Sequence, residues 1–157
     1  MRFQLPRVQV GTPPTGFRSV LAGRARVLAL IVGDAATMLL FASTGRASHG
    51  EASGLGALGQ VVLTAAPFAI GWFAVAALAG AYRHDITVSP VAMVRRTELA
   101  WLGAWPVTLL LRWVFTGRIP PWSFALVILL ANALILGVWR GVFAFILARR
   151  TGDMPTR

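Results

Sequence analysis

The chain has 157 residues, of which 57% are hydrophobic and 13% are charged. Soluble domains carry roughly twice this charged fraction, so the composition excludes an ordinary soluble fold and predicts a protein that folds in a lipid bilayer. Fifteen arginines against five acidic residues give a formal net charge of +10, and the absence of cysteine excludes disulfides, thiol catalysis and thiolate metal ligands.

The first segment of the chain, residues 1–26, contains five arginines together with several prolines and glycines. It has no sustained periodicity, so we expect a mostly flexible tail. The tail and the apolar stretch after it resemble a signal peptide, but Asp34 interrupts that stretch and no small-residue cleavage motif follows. We therefore expect the segment to be retained.

Four apolar stretches follow, and each is predicted to cross a bilayer as a helix. The predicted spans are residues 27–43, 57–82, 97–116 and 122–148, and a short cytoplasmic tail, 149–157, ends the chain. The connection between the third and fourth spans is so short that these two helices must be antiparallel neighbours. The length leaves no room for a second domain. The predicted fold class is therefore all-α, a four-helix transmembrane bundle.

The arginines are distributed unequally between the connecting segments. Five precede residue 27, three lie in 83–96 and three follow residue 148, whereas the other two loops hold one each, Arg46 and Arg118. Because positively charged loops stay in the cytoplasm, this pattern predicts that both termini are cytoplasmic. It also predicts a multi-pass protein of the cell membrane whose basic loops bind anionic lipid headgroups at the cytoplasmic face. Arginines that flank apolar spans do not form the water-exposed patch of a nucleic-acid-binding protein, so no nucleic acid is expected as a partner.

Two charges lie inside the apolar spans. Asp34 comes seven residues after the start of the first span, and Arg140 comes eight residues before the end of the fourth. At ~1.5 Å per residue both lie about 10–12 Å from the same membrane surface, so they can meet if the two spans are neighbours. A lone charge at this depth is unfavourable, which predicts a buried pair. The pair either holds the bundle together or forms part of a proton, ion or anionic-ligand site.

Small residues indicate where the helices approach one another. Gly137 and Gly141 form a GxxxG motif around the intramembrane arginine of the fourth span, and such a motif permits close approach of another helix. We expect this approach to bring the guanidinium to its partner. On the second span, Gln60, Pro67 and Gly71 recur at helical spacing and predict one inward face, with a kink at the proline.

The third span carries an acid near its inner end, Glu98, and a base near its outer end, Arg112. Their spacing places them about 40° apart on one helix face. Glu98 competes with Asp34 for Arg140, pairs with an adjacent arginine, or lies among the headgroups. Arg112 either snorkels outward or contacts the outer loop. With Asp34 and Arg140, these two residues are candidates to line a ligand or ion pathway.

Polar residues also cluster at the outer end of the predicted bundle. The loop after the first span carries Arg46, Ser48, His49 and Glu51, and Gln60 begins the second span beneath it. Together with the arginine of the third span they predict an outer polar vestibule. His49 and Glu51 could act as acid and base, but no activated nucleophile accompanies them, and two ligands make a poor metal site. We therefore predict neither a metal nor another cofactor.

The stretch GDAATMLLFASTGRASHG, followed by TAAPFAIGW in the second span and WR in the fourth, resembles the bacterial and archaeal membrane proteins grouped as domain-of-unknown-function family 3054. The likeness covers about residues 27–145. It implies a small multi-span protein and assigns no activity, substrate or cofactor. The matching positions are Gly33, Asp34, Phe41, Gly45, Arg46, Ser48, His49, Pro67, Phe68, Gly71, Trp72 and Arg140.

These patterns leave three hypotheses for function. The favoured one is a non-enzymatic binding, scaffold or assembly protein in which the Asp34–Arg140 pair holds the helices together, with a second copy or another membrane protein as its partner. The second is a small oligomeric transporter or an ion or proton pathway lined by the four intramembrane charges. The third is a membrane enzyme that uses His49 and Glu51.

Overall fold

A computed structural model gives the fold and describes residues 15–48 and 57–151. The described residues form helices and connecting turns, without strands. Four of the helices are long and apolar enough to cross a membrane, so the prediction of an all-α protein with four helices of membrane-spanning length is confirmed. The elements are α1 (Thr15–Ser48), α2 (Leu58–Leu78), α3 (His84–Thr87), α4 (Pro90–Thr116) and α5 (Trp122–Thr151).

The four long helices pack in a ring. α1 packs against α2 and α5, and α4 packs against the same two helices from the other side, so the first and last long helices of the chain are neighbours. Alternating chain direction brings the start of α1, the end of α2, the start of α4 and the end of α5 to one end of the bundle. We call this the basic end, because its exposed side chains include Arg24, Arg83, Arg95, Arg96, Arg149 and Arg150. That this end faces the cytoplasm stays a prediction.

Two helices begin earlier than the apolar pattern predicts. α1 starts at Thr15, so residues 15–26, which we expected in a tail, are helical. α4 starts at Pro90, seven residues before the predicted span, with Ser89 in extended conformation before it. The apolar stretch of a helix predicts only the part that can cross the hydrocarbon, so a helix can begin before it. The 34 residues of α1 extend over ~51 Å, which is more than the ~30 Å thickness of a hydrocarbon core.

Glycines in left-handed conformation end α2 and α4. Gly80, at φ +67°, follows α2, where the Gly80 amide donates to Ala77 O (3.1 Å) and the Ala81 amide donates to Ala76 O (2.9 Å). This pair of bonds is a Schellman motif, which requires a positive φ at its glycine. Gly117 ends α4 at φ +66°, and its amide donates to Trp113 O (2.7 Å). The chain then turns back within a few residues into α5, as the short connection predicts.

Aromatic residues dominate the core of the bundle. Phe68, Trp72 and Trp101 are completely buried, and the rings of Trp72 and Trp101 lie 6.3 Å apart between centroids. The Trp101 indole donates to the Leu129 carbonyl of α5 (2.9 Å), so the α4–α5 contact is polar as well as apolar.

The inward face of α2 differs from the prediction. Pro67 and Gly71 are buried as expected, but Gln60 is exposed. The buried face is centred on Phe68 and Trp72, about 100° around the helix from the predicted one. The large rings bury more apolar surface than the polar and small residues would, and this decides the rotation of the helix. Gln60 points in the same direction around the helix as Pro67 and Gly71 but lies in the first turn of α2, where its side chain is exposed.

Candidate functional site

Asp34 of α1 and Arg140 of α5 form an ion pair in the interior of the bundle. Arg140 Nε donates to Asp34 Oδ1 at 3.0 Å, and Arg140 Nη2 donates to Asp34 Oδ2 at 2.8 Å. Neither side chain has exposed surface. Two parallel N–H···O bonds are the bidentate arrangement that a guanidinium and a carboxylate prefer, and both bonds are charge-assisted.

Three further groups complete the site around this pair. The Trp72 indole donates to Asp34 Oδ2 at 3.0 Å, and the Tyr82 hydroxyl donates to the same oxygen at 2.8 Å. Arg140 Nη1 donates to the Ala81 carbonyl at 3.1 Å. The guanidinium also lies over both rings, 5.0 Å from the Trp72 centroid and 4.7 Å from that of Tyr82, so it is stabilised by cation–π interactions. We call these five residues, Asp34, Trp72, Ala81, Tyr82 and Arg140, the paired-charge site.

The sequence neighbours of the two charges explain how their helices approach. A Cβ atom on Gly33 would overlap the Trp139 ring of α5. The absence of a side chain at Gly33 therefore lets Trp139 pack directly on the α1 backbone. One residue further along each helix, Asp34 then meets Arg140. The GD and WR dipeptides of the two helices thus form one contact.

The Schellman motif at Gly80 places the two site residues that follow α2. It reverses the chain so that the Ala81 carbonyl and the Tyr82 hydroxyl both point at the pair. Burial, reinforced by the neighbouring Asp34 carboxylate, raises the pKa of the Tyr82 phenol above that of a free tyrosine. The phenol therefore stays protonated and remains a hydrogen-bond donor.

The basic end of the site is closed by apolar side chains. Leu30, Ile86, Met93 and Ala144 form a buried cluster there, to which the short helix α3 contributes Ile86. The Met93 sulfur is 3.9 Å from Arg140 Nη1.

A further contact joins α1 to α3 at this end. Arg26 Nη1 lies 2.6 Å from His84 Nε2. A guanidinium has only donors, so the imidazole nitrogen accepts this bond. Beside it, the exposed Arg83 guanidinium donates to Asp85 (3.2 Å) and lowers the pKa of that carboxyl.

The GxxxG motif of α5 serves a different contact from the one we predicted. A Cβ on Gly137 would lie 2.5 Å from Glu98 Oε1, and one on Gly141 would lie 3.0 Å from Val94 Cγ2. Both glycines therefore face α4 rather than α1. The close approach of α1 depends on its own glycine, because a small residue is needed wherever a large ring must pack against a backbone.

The structure does not bring Glu98 or Arg112 to the pair. Within residues 15–48 and 57–151, Glu98 forms no hydrogen bond or ion pair, and the Arg112 guanidinium lies 4.4 Å from the Phe124 ring centroid. Neither residue therefore forms a hydrogen bond or ion pair with Asp34 or Arg140 in the described part of the chain, and a pathway lined by the four charges stays a prediction.

Two residues of the predicted outer vestibule lie outside the described residues. His49 and Glu51 belong to residues 49–56, which the structure does not describe. Arg46 is half-buried, and the Ser48 hydroxyl donates to the Gly45 carbonyl at 2.7 Å. Among the described residues there is no group of three or more histidine, aspartate or glutamate side chains that could hold a metal ion.

Comparison with known proteins places this architecture in a family. A family model described as "Protein of unknown function (DUF3054)" matches residues 31–143. The chain belongs to this family. The match begins in α1 and ends in α5, so it contains all five residues of the paired-charge site, and it confirms the resemblance in the sequence. Neither a curated protein nor a solved structure matches the chain significantly.

Three members of the site were not predicted from the sequence as partners of the pair. Trp72 was recognised only as a position shared with the family, and Ala81 and Tyr82 were not singled out. Gly80 was the available signal, since a glycine after an apolar helix marks a chain reversal. No periodicity in the sequence indicates that this reversal points back at α1.

Proposed function

We propose that the protein is a non-catalytic binding or assembly protein of the membrane, and that the paired-charge site holds its helices in one fixed arrangement. The observation that carries the proposal is the saturation of the pair. Asp34 accepts four hydrogen bonds, from Arg140 Nε and Nη2, Trp72 and Tyr82. Arg140 Nη1 is directed at a backbone carbonyl.

This saturation favours a structural role over transport. A group that passes protons or ions must exchange partners during each cycle, and each partner that Asp34 already holds makes the exchange more unfavourable. Both charges are also without exposed surface, and an apolar cluster closes the basic end. A bundle fixed in this way presents constant outer faces to other membrane components.

The test replaces both charges by apolar residues of similar size, Asp34→Leu together with Arg140→Met. Replacing a buried ion pair by apolar residues often leaves a fold intact. We expect the double variant to enter the membrane and to form, at wild-type abundance, the same native complexes after mild detergent extraction. Asp34→Asn alone is the matched control, because it leaves the guanidinium uncompensated.

The pathway hypothesis makes the opposite prediction. If Asp34 carries protons or ions, wild-type proteoliposomes should show a flux that both Asp34→Asn and the double variant abolish while the protein remains folded. That result, or a folded double variant that no longer enters its complexes, would refute the structural proposal. The enzyme hypothesis depends on His49 and Glu51 and stays a prediction, tested by the activity of His49→Ala.

A further inference from the structure

Glu98 is a membrane-helix carboxylate without a charged partner in the described part of the chain. It lies eight residues into α4, about 12 Å from the helix start. The 27 residues of α4 extend over ~40 Å and exceed a ~30 Å hydrocarbon core by ~10 Å. Even if the whole excess projects at the basic end, the Cα of Glu98 lies ~2 Å inside the hydrocarbon edge. Lipid tails can cover the leucines around it but cannot compensate its charge.

The carboxylate lies in the groove between α4 and α5. Its Oε1 atom sits against Gly137, where a side chain would displace it. Leu102 of α4 and Leu134 of α5 are 54% and 68% exposed, and they border this groove. Together with Arg95 and Glu98 they form the surface that we call the α4–α5 face. The glycines of α5 let α4 pack closely against it and hold the Glu98 carboxylate at this groove, where the exposed leucines beside it are open to a further helix.

The α4–α5 face carries a base beside its acid. Arg95 is exposed and lies one turn before Glu98, about 60° away around the helix. Leu102 falls between these two directions. An acid and a base on one helix face are self-complementary in a two-fold pair, because residue i contacts residue j and residue j contacts residue i. In a parallel pair of α4 helices the two charges are offset by ~4.5 Å, which an arginine side chain spans.

We propose that the α4–α5 face binds a second copy of this chain, in a parallel two-fold pair in which Glu98 of each copy forms an ion pair with Arg95 of the other. A basic helix of another protein would pair only with Glu98. A second copy of this chain pairs Glu98 and Arg95 of each copy with Arg95 and Glu98 of the other. The proposal deepens the proposed function, on which it rests, by naming one partner. Its test uses residues outside the paired-charge site, so the two proposals can fail separately.

The test exploits the absence of cysteine from the chain. Leu102→Cys places a thiol close to the expected two-fold axis, and Leu63→Cys places one on the exposed side of α2 as a control. In vesicles of phosphatidylcholine and phosphatidylglycerol, oxidation should crosslink Leu102→Cys into dimers and leave Leu63→Cys monomeric. Added to Leu102→Cys, either Glu98→Gln or Arg95→Gln should lower the dimer yield about tenfold at limiting protein density, since two ion pairs are lost. Arg96→Gln, an exposed neighbour about 100° away, should not change it.

A mixing experiment separates charge pairing from a local structural effect. The Arg95→Glu chain carries two acids on the α4–α5 face, and the Glu98→Arg chain carries two bases. Each alone should dimerise less than wild type, while a mixture of differently tagged chains should form mixed dimers in preference to either homodimer. Mixed dimers at or below the homodimer level overturn the proposal. Equal crosslinking of Leu102→Cys and Leu63→Cys would also overturn the proposal. The same is true if Arg96→Gln lowers the dimer yield as much as Glu98→Gln and Arg95→Gln do.

Discussion

Removing one charge of the paired-charge site should damage the protein more than removing both. Among the described residues, Asp34→Leu leaves the Arg140 guanidinium with the Ala81 carbonyl and the Met93 sulfur as its only hydrogen-bond partners, both through Nη1. Breaking a buried ion pair in this way costs about 3–5 kcal/mol, because one charge stays buried without compensation. We expect Asp34→Leu and Arg140→Met each to lower the free energy of unfolding by this amount.

The double variant removes both charges and leaves only neutral groups without partners. The Trp72 indole, the Tyr82 hydroxyl and the Ala81 carbonyl lose their bonds to the pair. Polar contacts between membrane helices average about 0.6 kcal/mol, so these three losses amount to roughly 2 kcal/mol. The double variant should therefore be more stable than either single variant, and the coupling energy should exceed about 3 kcal/mol.

Reversible unfolding in mixed micelles measures this cycle. Increasing the fraction of denaturing detergent unfolds the bundle, and the emission of the six tryptophans, one of which donates to Asp34, follows the transition. Arg112→Met is the control, since the Arg112 guanidinium contacts the Phe124 ring and no carboxylate in the described residues. This variant should lower the free energy of unfolding by about 1 kcal/mol or less. Additive effects of Asp34→Leu and Arg140→Met would show that the two charges are not coupled and would refute the reasoning.

Three further predictions concern the residues that support the site. Gly33→Ala should lower the free energy of unfolding by about 1–3 kcal/mol, because the new methyl group overlaps a tryptophan ring. In the same detergent titration, Gly23→Ala on the same helix meets open space and should be neutral or slightly stabilising. Gly80→Ala and Gly117→Ala each place an alanine at a positive φ, which should lower the free energy of unfolding by about 1–2 kcal/mol. Gly80→Ala also displaces residues of the paired-charge site, so it should be the more destabilising of the two. A smaller destabilisation by Gly80→Ala than by Gly117→Ala would contradict this prediction. Tyr82, the sole tyrosine, has a raised pKa, so the folded protein keeps a proton that the unfolded chain releases above about pH 10, and stability should fall there by up to ~1.4 kcal/mol per pH unit. Tyrosinate absorbance follows the ionisation of Tyr82, and Tyr82→Phe should remove the pH dependence of stability. Ionisation of Tyr82 near pH 10 in the folded protein would contradict the prediction.

The helical spans and the depth of the pair could be predicted from the sequence because both depend on local quantities. Runs of apolar residues identify the hydrocarbon crossing, and the number of residues between a charge and the end of a span sets its depth. Asp34 and Arg140 could be placed at one level on this basis. Helix ends were less predictable, since Thr15 and Pro90 begin helices several residues before the apolar stretches from which the spans were predicted.

The partners of the pair could not be predicted, because they come from different helices whose rotations depend on packing. Gln60 shares its helical spacing with buried residues of α2 and is nevertheless exposed, since it lies in the first turn of the helix, before the first buried residue of α2, Ala65. The α5 glycines could be recognised as a close contact, but not the helix that uses them. The Tyr82 hydroxyl reaches Asp34 only because a glycine reverses the chain after α2.

The amino-acid sequence alone determined that this chain has four helices long and apolar enough to cross a membrane, that it belongs to the DUF3054 family, and that it carries an acid in its first long helix and a base in its last. Apolar length and charge position carry that information along the chain, without reference to neighbours. Tertiary structure decided that Asp34 meets Arg140 and that Trp72, Ala81 and Tyr82 saturate the pair. It also decided that Glu98 lies between α4 and α5, away from the Asp34–Arg140 pair. Such contacts depend on the order and rotation of helices around the ring, which are set by the fit of side chains across helix interfaces.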